Sequence, residues 1–258
     1  MIEVIISTMI LQMKQSFARP MFRFCLIANP ILNTILLYEM FRKSGATNYM
    51  AYVTLGAGLM GLWGCICFSS AGDINRERFS GTLALIFTAP AGFSTIILGK
   101  IIGNTIMSLL TMIISLMTSV IFFRIQLQLA NPLFFLIALF AAILSFIVIS
   151  SVIACILTLS RKTELYMNCI EIPIILLCGF AFPVSVLPFG IRIVSYTLAP
   201  TYAVELMRMA VWGITDKAEF FEKLLVLMIL TLIYAVISVF LYKKIDRSVR
   251  IAATLEVA

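Results

Sequence analysis

Residues 72–90 read Gly-Asp-Ile-Asn-Arg-Glu-Arg-Phe-Ser-Gly-Thr-Leu-Ala-Leu-Ile-Phe-Thr-Ala-Pro, with four charged side chains in the six positions 73–78. Charged residues make up only 12% of the chain, and long apolar runs flank this stretch on both sides. The stretch must therefore leave a membrane and return to it. After Gly81, the apolar residues Leu83, Ile86 and Phe87 recur at helical spacing. This pattern predicts the end of one helix, a bend and a short amphipathic helix at a membrane surface.

The composition of the whole chain is that of an integral membrane protein. Of its 258 residues, 62% are hydrophobic, and the mean hydropathy is +1.10, whereas soluble domains are about 45–50% apolar. The apolar runs are long enough for helical spans and too long for β-barrel strands. The net charge of +7 fits basic residues on the cytoplasmic side better than nucleic-acid binding. With no histidine and six scattered cysteines, a metal site is not expected, and the cysteines are interpreted as packing residues.

The hydropathy pattern predicts an all-α membrane protein with six transmembrane helices in a single domain covering residues 1–258. The predicted spans are 24–41, 49–71, 93–123, 132–159, 165–182 and 224–242. Residues 1–18 carry an apolar stripe and predict an amphipathic interfacial helix, although they could also form the first turns of span one. Residues 72–90 form the loop described above.

Residues 183–213 predict a hairpin of two short helices, about 189–198 and 201–211, that dips partway into the membrane. This segment contains Pro183, Pro188 and Pro200, and it is too apolar for an open loop. Glu205 and Arg208 are three residues apart, so we expect them to pair on one helix face.

The distribution of basic residues predicts the topology. With six spans, both termini lie on one side, which collects twelve of the Lys and Arg residues against seven on the other side. The positive-inside rule then places both termini and residues 72–90 in the cytoplasm and the 183–213 hairpin outside.

Four polar residues within the predicted spans are candidates for a translocation path. Glu171 is the one clear carboxylate in a span, with Asn168 three residues before it, and Asn29 and Asn33 share a face of span one. A charge at mid-membrane costs about 2.5–3.5 kcal/mol on insertion scales, so it is normally turned inward. One hypothesis makes Glu171 a polar site on the path or a protonatable group. The alternative is that it pairs with Arg161 or Lys162, and the two asparagines could equally form hydrogen bonds between helices.

The chain contains no phosphate-binding loop of the Walker type, and without histidine it cannot form a Ser-His-Asp triad. A P-loop ATPase activity of its own is therefore excluded. If the chain performs energy-driven work, the energy must come from another chain or from an ion gradient.

The sequence resembles the permeases of type-2 ABC exporters (the ABC-2 permease family) over essentially its whole length. The most specific likeness is the pair Glu77-Arg78, the triplet Gly81-Thr82-Leu83 and the later Pro90 between spans two and three. A second likeness is Phe182-Pro183 and Leu187-Pro188, followed by Pro200-Thr201-Tyr202 and Glu205 to Arg208, which matches the extracellular hairpin of the family.

This resemblance implies a permease that is not an enzyme and that works with a separate ABC ATPase. In such permeases the loop after span two forms a coupling helix on the ATPase, which assigns that contact to Asp73, Arg76, Glu77, Arg78, Gly81, Thr82 and Leu83. Many members have Glu after the Gly-Thr-Leu triplet, and Ala84 departs from that pattern.

The implied assembly contains two ATPase copies, which hold ATP and Mg, and a second permease subunit that is either identical or different. Its setting is the lipid of a bacterial plasma membrane. The implied cargo is a drug, a peptide or another amphipathic compound, or alternatively a lipid or lipid-linked glycan.

Functions of other classes make different demands on the sequence. An ion-coupled secondary transporter would favour several intramembrane carboxylates and internal repeats, whereas this chain has one such Glu and no obvious repeat. An intramembrane enzyme acting on lipid would need convergent catalytic groups that the spans do not supply. A non-transporting membrane scaffold or immunity subunit could be told apart only by whether substrate moves.

Overall fold

A computed structural model of the chain describes residues 2–42, 49–88, 92–124, 130–158, 163–214 and 216–252. Within these ranges the secondary structure is helical, with no β-strand. The α-helices are α1 (Ile2–Ala18), α2 (Pro20–Arg42), α3 (Tyr49–Phe79), α4 (Thr82–Thr88), α5 (Phe93–Phe123), α6 (Pro132–Thr158), α7 (Thr163–Leu177), α8 (Phe189–Thr197), α9 (Ala199–Trp212) and α10 (Lys217–Ala252). A single 3-10 turn, Val184–Val186, precedes α8.

The all-α prediction is confirmed, and four of the described helices are long and apolar enough to cross a membrane. These are α2, α5, α6 and the Lys217–Ile245 part of α10. The predicted spans 49–71 and 165–182 fall on α3 and α7, whose apolar parts are the shorter segments Tyr52–Cys67 and Leu165–Leu177. Six spans therefore remain a prediction.

One predicted boundary is wrong for a local physical reason. The helix of predicted span five ends at Leu177, five residues early, because Gly179 adopts a positive φ of 73° that turns the chain away. The last helix, which contains the predicted span 224–242, starts at Lys217, because the Asp216 carboxylate accepts a 2.8 Å hydrogen bond from the backbone N–H of Ala218.

Helix α3 lies at the centre of the bundle, packed against α2, α5, α6, α7 and α9. Its Trp63 is fully buried and meets Phe146 of α6 at a centroid distance of 5.5 Å. Small residues allow the close approach: a side chain at Gly61 would lie 3.1 Å from Thr111 of α5, and Ala57 is fully buried. Gly61 and Ala57 therefore allow α3 to pack closely against its neighbours.

Helix α1 lies along α5 with its polar residues turned inward. Gln12 and Ser16 are buried, whereas Ile2, Ile6 and Ile10 are exposed. The contact is close, since a side chain at Gly103 of α5 would lie 2.8 Å from the Met9 carbonyl oxygen. A helix that hides its polar face and exposes its apolar face suits a lipid environment.

The two helices predicted for residues 183–213 are present as α8 and α9. Each proline stands where its missing N–H is harmless: Pro183 precedes the 3-10 turn, Pro188 precedes α8, and Pro200 lies in the first turn of α9. Helix α9 packs against α6 and α10, with Ala203, Leu206 and Met207 fully buried.

Candidate functional site

The junction between α3 and α5 has the predicted shape. Helix α3 continues through the charged residues to Phe79, the chain bends at Gly81, and the seven-residue helix α4 follows. Gly81 has φ 68°, a left-handed conformation that costs other residues energy, so glycine is suited to this bend. A helix end, a bend and a short helix are therefore present where the sequence predicts them, and the position of α4 at a membrane surface stays a prediction.

Asp73 lies inside the bundle and is only 4% exposed. Its carboxylate accepts hydrogen bonds from Gln12 of α1 (2.5 Å) and Asn104 of α5 (2.8 Å), and it pairs with Arg19 (2.5 Å). The Ser16 hydroxyl donates to Asn104 and completes what we term the Asp73 cluster: Gln12, Ser16, Arg19, Asp73 and Asn104. The cluster connects helices α1, α3 and α5, together with Arg19, which lies between α1 and α2. The carboxylate of Asp73 therefore points into the helix bundle, away from the surface.

Glu77, one helical turn further along α3, forms an ion pair with Lys100 of α5 and accepts a hydrogen bond from the hydroxyl of Thr82 at the start of α4. Burial raises the pKa of Glu77, but the hydrogen bonds from Lys100 and Thr82 and the positive charges of Lys100 and Arg76 outweigh it, so its pKa falls below the ordinary value. The carboxylate is thus ionised at neutral pH and ties α3, α4 and α5 together.

The two arginines of this junction also bond within the chain. Arg76 lies 3.4 Å from Asp73, and Arg78 donates a 2.7 Å hydrogen bond to the Thr158 carbonyl at the end of α6. All four charged residues between positions 73 and 78 thus have partners on neighbouring elements or on α3 itself.

The exposed part of the junction is apolar. Phe79 is 85% exposed and Leu85 is 68% exposed, whereas Ile86 packs toward the core. Beside them a cleft of about 180 Å³ opens between α1, α4 and α5, with Glu77, Lys100 and Gln15 among its lining residues. The side chain of Leu83 lies outside the described part of the structure.

Several residues of this site were not predicted. Gln12 and Asn104 were not singled out, and no local pattern distinguishes a polar residue that contacts Asp73 from one that faces water. Lys100 carried a usable signal, because it is the sole charged residue of the predicted span 93–123. Phe79 and Leu85 fall outside the apolar face assigned to this stretch.

The candidate path residues lie on α2 and α7. Glu171 is half-buried on α7, and its carboxylate oxygen would lie 2.8 Å from a side chain placed at Gly64 of α3. Asn29 and Asn33 are half-buried on α2, and no hydrogen bond joins either of them to Glu171. The side chain of Asn168, and the alternative partners Arg161 and Lys162, lie outside the described residues.

The predicted pair of Glu205 with Arg208 does not form. Glu205 instead lies 3.0 Å from Lys223 of α10. Arg208 is 5% exposed, donates a 2.9 Å hydrogen bond to the Phe180 carbonyl, and stacks 4.3 Å from the ring centroid of Tyr52. The two charges serve different contacts, and Arg208 fastens α9 to the turn after α7 and to the start of α3.

These features define a multi-pass helical membrane protein, and the described residues contain no cluster that could hold a metal ion. The profile of the family described as "ABC-2 type transporter" matches residues 4–212. The chain therefore belongs to the ABC-2 type transporter family, whose membrane component is a permease and is not itself catalytic. Membership implies, in general, an ABC ATPase partner and a dimeric arrangement. No curated protein matches the sequence.

Proposed function

We propose that the chain is the membrane subunit of an ATP-driven exporter and that residues 72–90 couple it to a separate ATPase. The observation that carries this proposal is the construction of the junction. Asp73 and Glu77 attach it to α1 and α5, while Phe79 and Leu85 remain exposed on its outer surface. A segment anchored in this way moves as a unit with the long helices, and an exposed apolar surface is suited to a protein partner.

In this proposal the residues of the junction have separate tasks. Glu77 holds α4 at a set angle through Thr82 and Lys100, and Gly81 provides the bend. Arg76, Arg78 and Leu83 belong to the same coupling element, and Asp73 anchors it from inside. Closure of the ATPase dimer, which holds ATP and Mg, would displace α4 and shift α2, α3 and α7 between two arrangements.

The proposed assembly contains two ATPase copies and a second permease subunit, identical or different, in a bacterial plasma membrane with both termini in the cytoplasm. The path lies between the permeases, with Asn29, Asn33, Asn168 and Glu171 as candidate contacts. The cargo is an amphipathic compound such as a drug or peptide, or alternatively a lipid or lipid-linked glycan. The hairpin of residues 183–213 would close the outer end.

The proposal is tested by purifying the chain in mild detergent and identifying the ATPase and any second permease that accompany it. We expect Glu77→Gln to lower ATPase stimulation by cargo while membrane insertion and the yield of purified protein stay unchanged. Glu39→Gln is the matched control, since Glu39 is 52% exposed and its ion pair among the described residues is with the exposed Arg42. Full transport after replacement of residues 72–90 by a neutral linker would refute coupling through this segment.

A second candidate function is ion-coupled secondary transport, favoured by the carboxylate of Glu171 within a predicted span. It predicts transport that stops when the proton gradient is collapsed, with no ATPase in the purified material. Transport that depends on ATP and survives collapse of the gradient would exclude it.

A further inference from the structure

Glu171 is a carboxylate without an ion-pair or hydrogen-bond partner among the residues that the structure describes. It lies on α7, eight residues after the helix begins at Thr163, or ~12 Å along the helix axis at 1.5 Å per residue. It makes no hydrogen bond or ion pair in the part of the chain that the structure describes. Asp73, Glu77 and Glu205, by contrast, each have a cationic partner.

The side chain of Glu171 fits closely against α3. Its carboxylate rests on α3 where Gly64 has no side chain, since a Cβ atom there would lie 2.8 Å from Oε1. In the described part of its neighbourhood, the titratable side chains near Glu171 on α2 and α3 are the thiols of Cys25, Cys65 and Cys67, which carry no positive charge. The residue is also only half-buried, so a molecule from outside this chain can reach it.

A line of polar groups continues from Glu171 along α2. Helix α3 brings the two helices together: Gly64 faces the Glu171 carboxylate, and at Gly61, about one turn earlier, a Cβ atom would lie 3.5 Å from Cβ of Pro30 on α2. On α2, Asn29 and Asn33 are four residues apart and so share one helix face. Both asparagine side chains are half-buried, and neither has a hydrogen-bond partner among the described residues. The proposed line thus combines the Glu171 carboxylate on α7 with two amides on α2 that lie ~6 Å apart along the helix axis.

We propose that this line is a cargo-binding site and that its cargo carries a positive charge. The inference rests on the proposed exporter function and specifies its substrate class as an organic cation with apolar substituents. Glu171 supplies the single counter-charge, Asn29 and Asn33 accept or donate hydrogen bonds further along, and the apolar faces of α2 and α7 receive the rest of the molecule. An anionic cargo would be repelled by Glu171.

The test measures binding to the purified full-length chain in phosphatidylcholine nanodiscs, without ATP and without a partner. The probes are tetraphenylphosphonium and tetraphenylborate, which have the same shape and opposite charge. Binding to empty nanodiscs is subtracted for each ion. The variants are Glu171→Gln, Glu171→Asp and the surface control Glu39→Gln, and each is first checked for an unchanged unfolding midpoint.

We expect the wild-type chain to bind the cation above background and not the anion. Glu171→Gln should weaken cation binding about tenfold, whereas Glu171→Asp should retain most of it and Glu39→Gln all of it. Equal cation binding by wild type and Glu171→Gln, or an equal loss in Glu39→Gln, would overturn the proposal. If Glu171→Gln does not fold, preference of the wild type for the borate anion would overturn it.

The outcomes also separate this inference from the exporter proposal. Glu171-dependent cation binding with no ATP-driven transport would leave the site standing and refute the exporter. ATP-driven transport that is unchanged in Glu171→Gln would support the exporter and refute the cargo site.

Discussion

Replacement of Asp73 by alanine removes the acceptor that three donors share in the Asp73 cluster. Gln12 and Asn104 are 1% exposed, so water cannot take the place of the lost carboxylate for them. Arg19 is 20% exposed and can turn partly toward the surface. Removal of one member of a buried ion pair costs about 3–5 kcal/mol, and the partial exposure of Arg19 favours the lower end. Each kcal/mol lowers the unfolding midpoint of a chain of this size by about 2–4 °C, so we expect a shift of roughly 6–20 °C.

The unfolding midpoint can be measured through the buried cysteines. Cys65, Cys67, Cys155 and Cys178 are buried, and a thiol-reactive dye reports their exposure as the detergent-solubilised protein is heated. Asp73→Asn keeps one acceptor oxygen without the charge, so its midpoint should fall between those of wild type and Asp73→Ala. Glu39→Ala breaks a pair 3.6 Å apart between exposed side chains and should cost no more than about 1 kcal/mol. Equal midpoints for Asp73→Ala and Glu39→Ala would refute the assigned role of the cluster.

Three further predictions use the same assay. Gly81→Ala should cost about 1–2 kcal/mol through its φ of 68° alone, because its side chain would meet no atom within 4 Å, and an equally stable variant would contradict the bend. Gly103→Leu should separate α1 from α5 at a cost of about 1–3 kcal/mol, since its Cβ atom would meet the Met9 carbonyl at 2.8 Å, whereas Gly190→Leu, with open space around it, should be neutral. Because the pKa of Glu77 is lowered in the folded protein, its ionised form stabilises the fold at pH values above the ordinary pKa of 4.5. This stabilisation is lost as the pH falls through the lower pKa of the folded state. The difference in midpoint between wild type and Glu77→Gln should therefore stay constant from about pH 8 to about pH 5 and shrink below about pH 4, and a difference already lost at pH 5 would contradict the ion pair with Lys100.

Interactions close in the sequence could be predicted well. The helix, bend and helix of residues 72–90 follow from apolar spacing and from one glycine, because helical periodicity and backbone sterics act within a few residues. The helices of the 183–213 hairpin were predicted for the same reason, since a proline at a helix start restricts φ locally.

Contacts between distant residues could not be predicted in the same way. Glu205 and Arg208 have suitable spacing for a pair, but α10 brings Lys223 to Glu205, and the turn after α7 offers the Phe180 carbonyl to Arg208. The separation of two residues in the sequence shows whether they can pair on one helix. It does not show whether another helix places a competing partner closer to either of them.

The sequence by itself determined that this is a helical membrane protein of the ABC-2 type, with a charged, bent junction between two long helices. Only the tertiary structure decided which way each charge of that junction points. Asp73 reaches Gln12 and Asn104, 61 and 31 positions away, and Glu77 reaches Lys100, 23 positions away. The physical reason is that a buried carboxylate is stabilised by whichever donors the packed helices place around it, and that arrangement depends on the whole bundle.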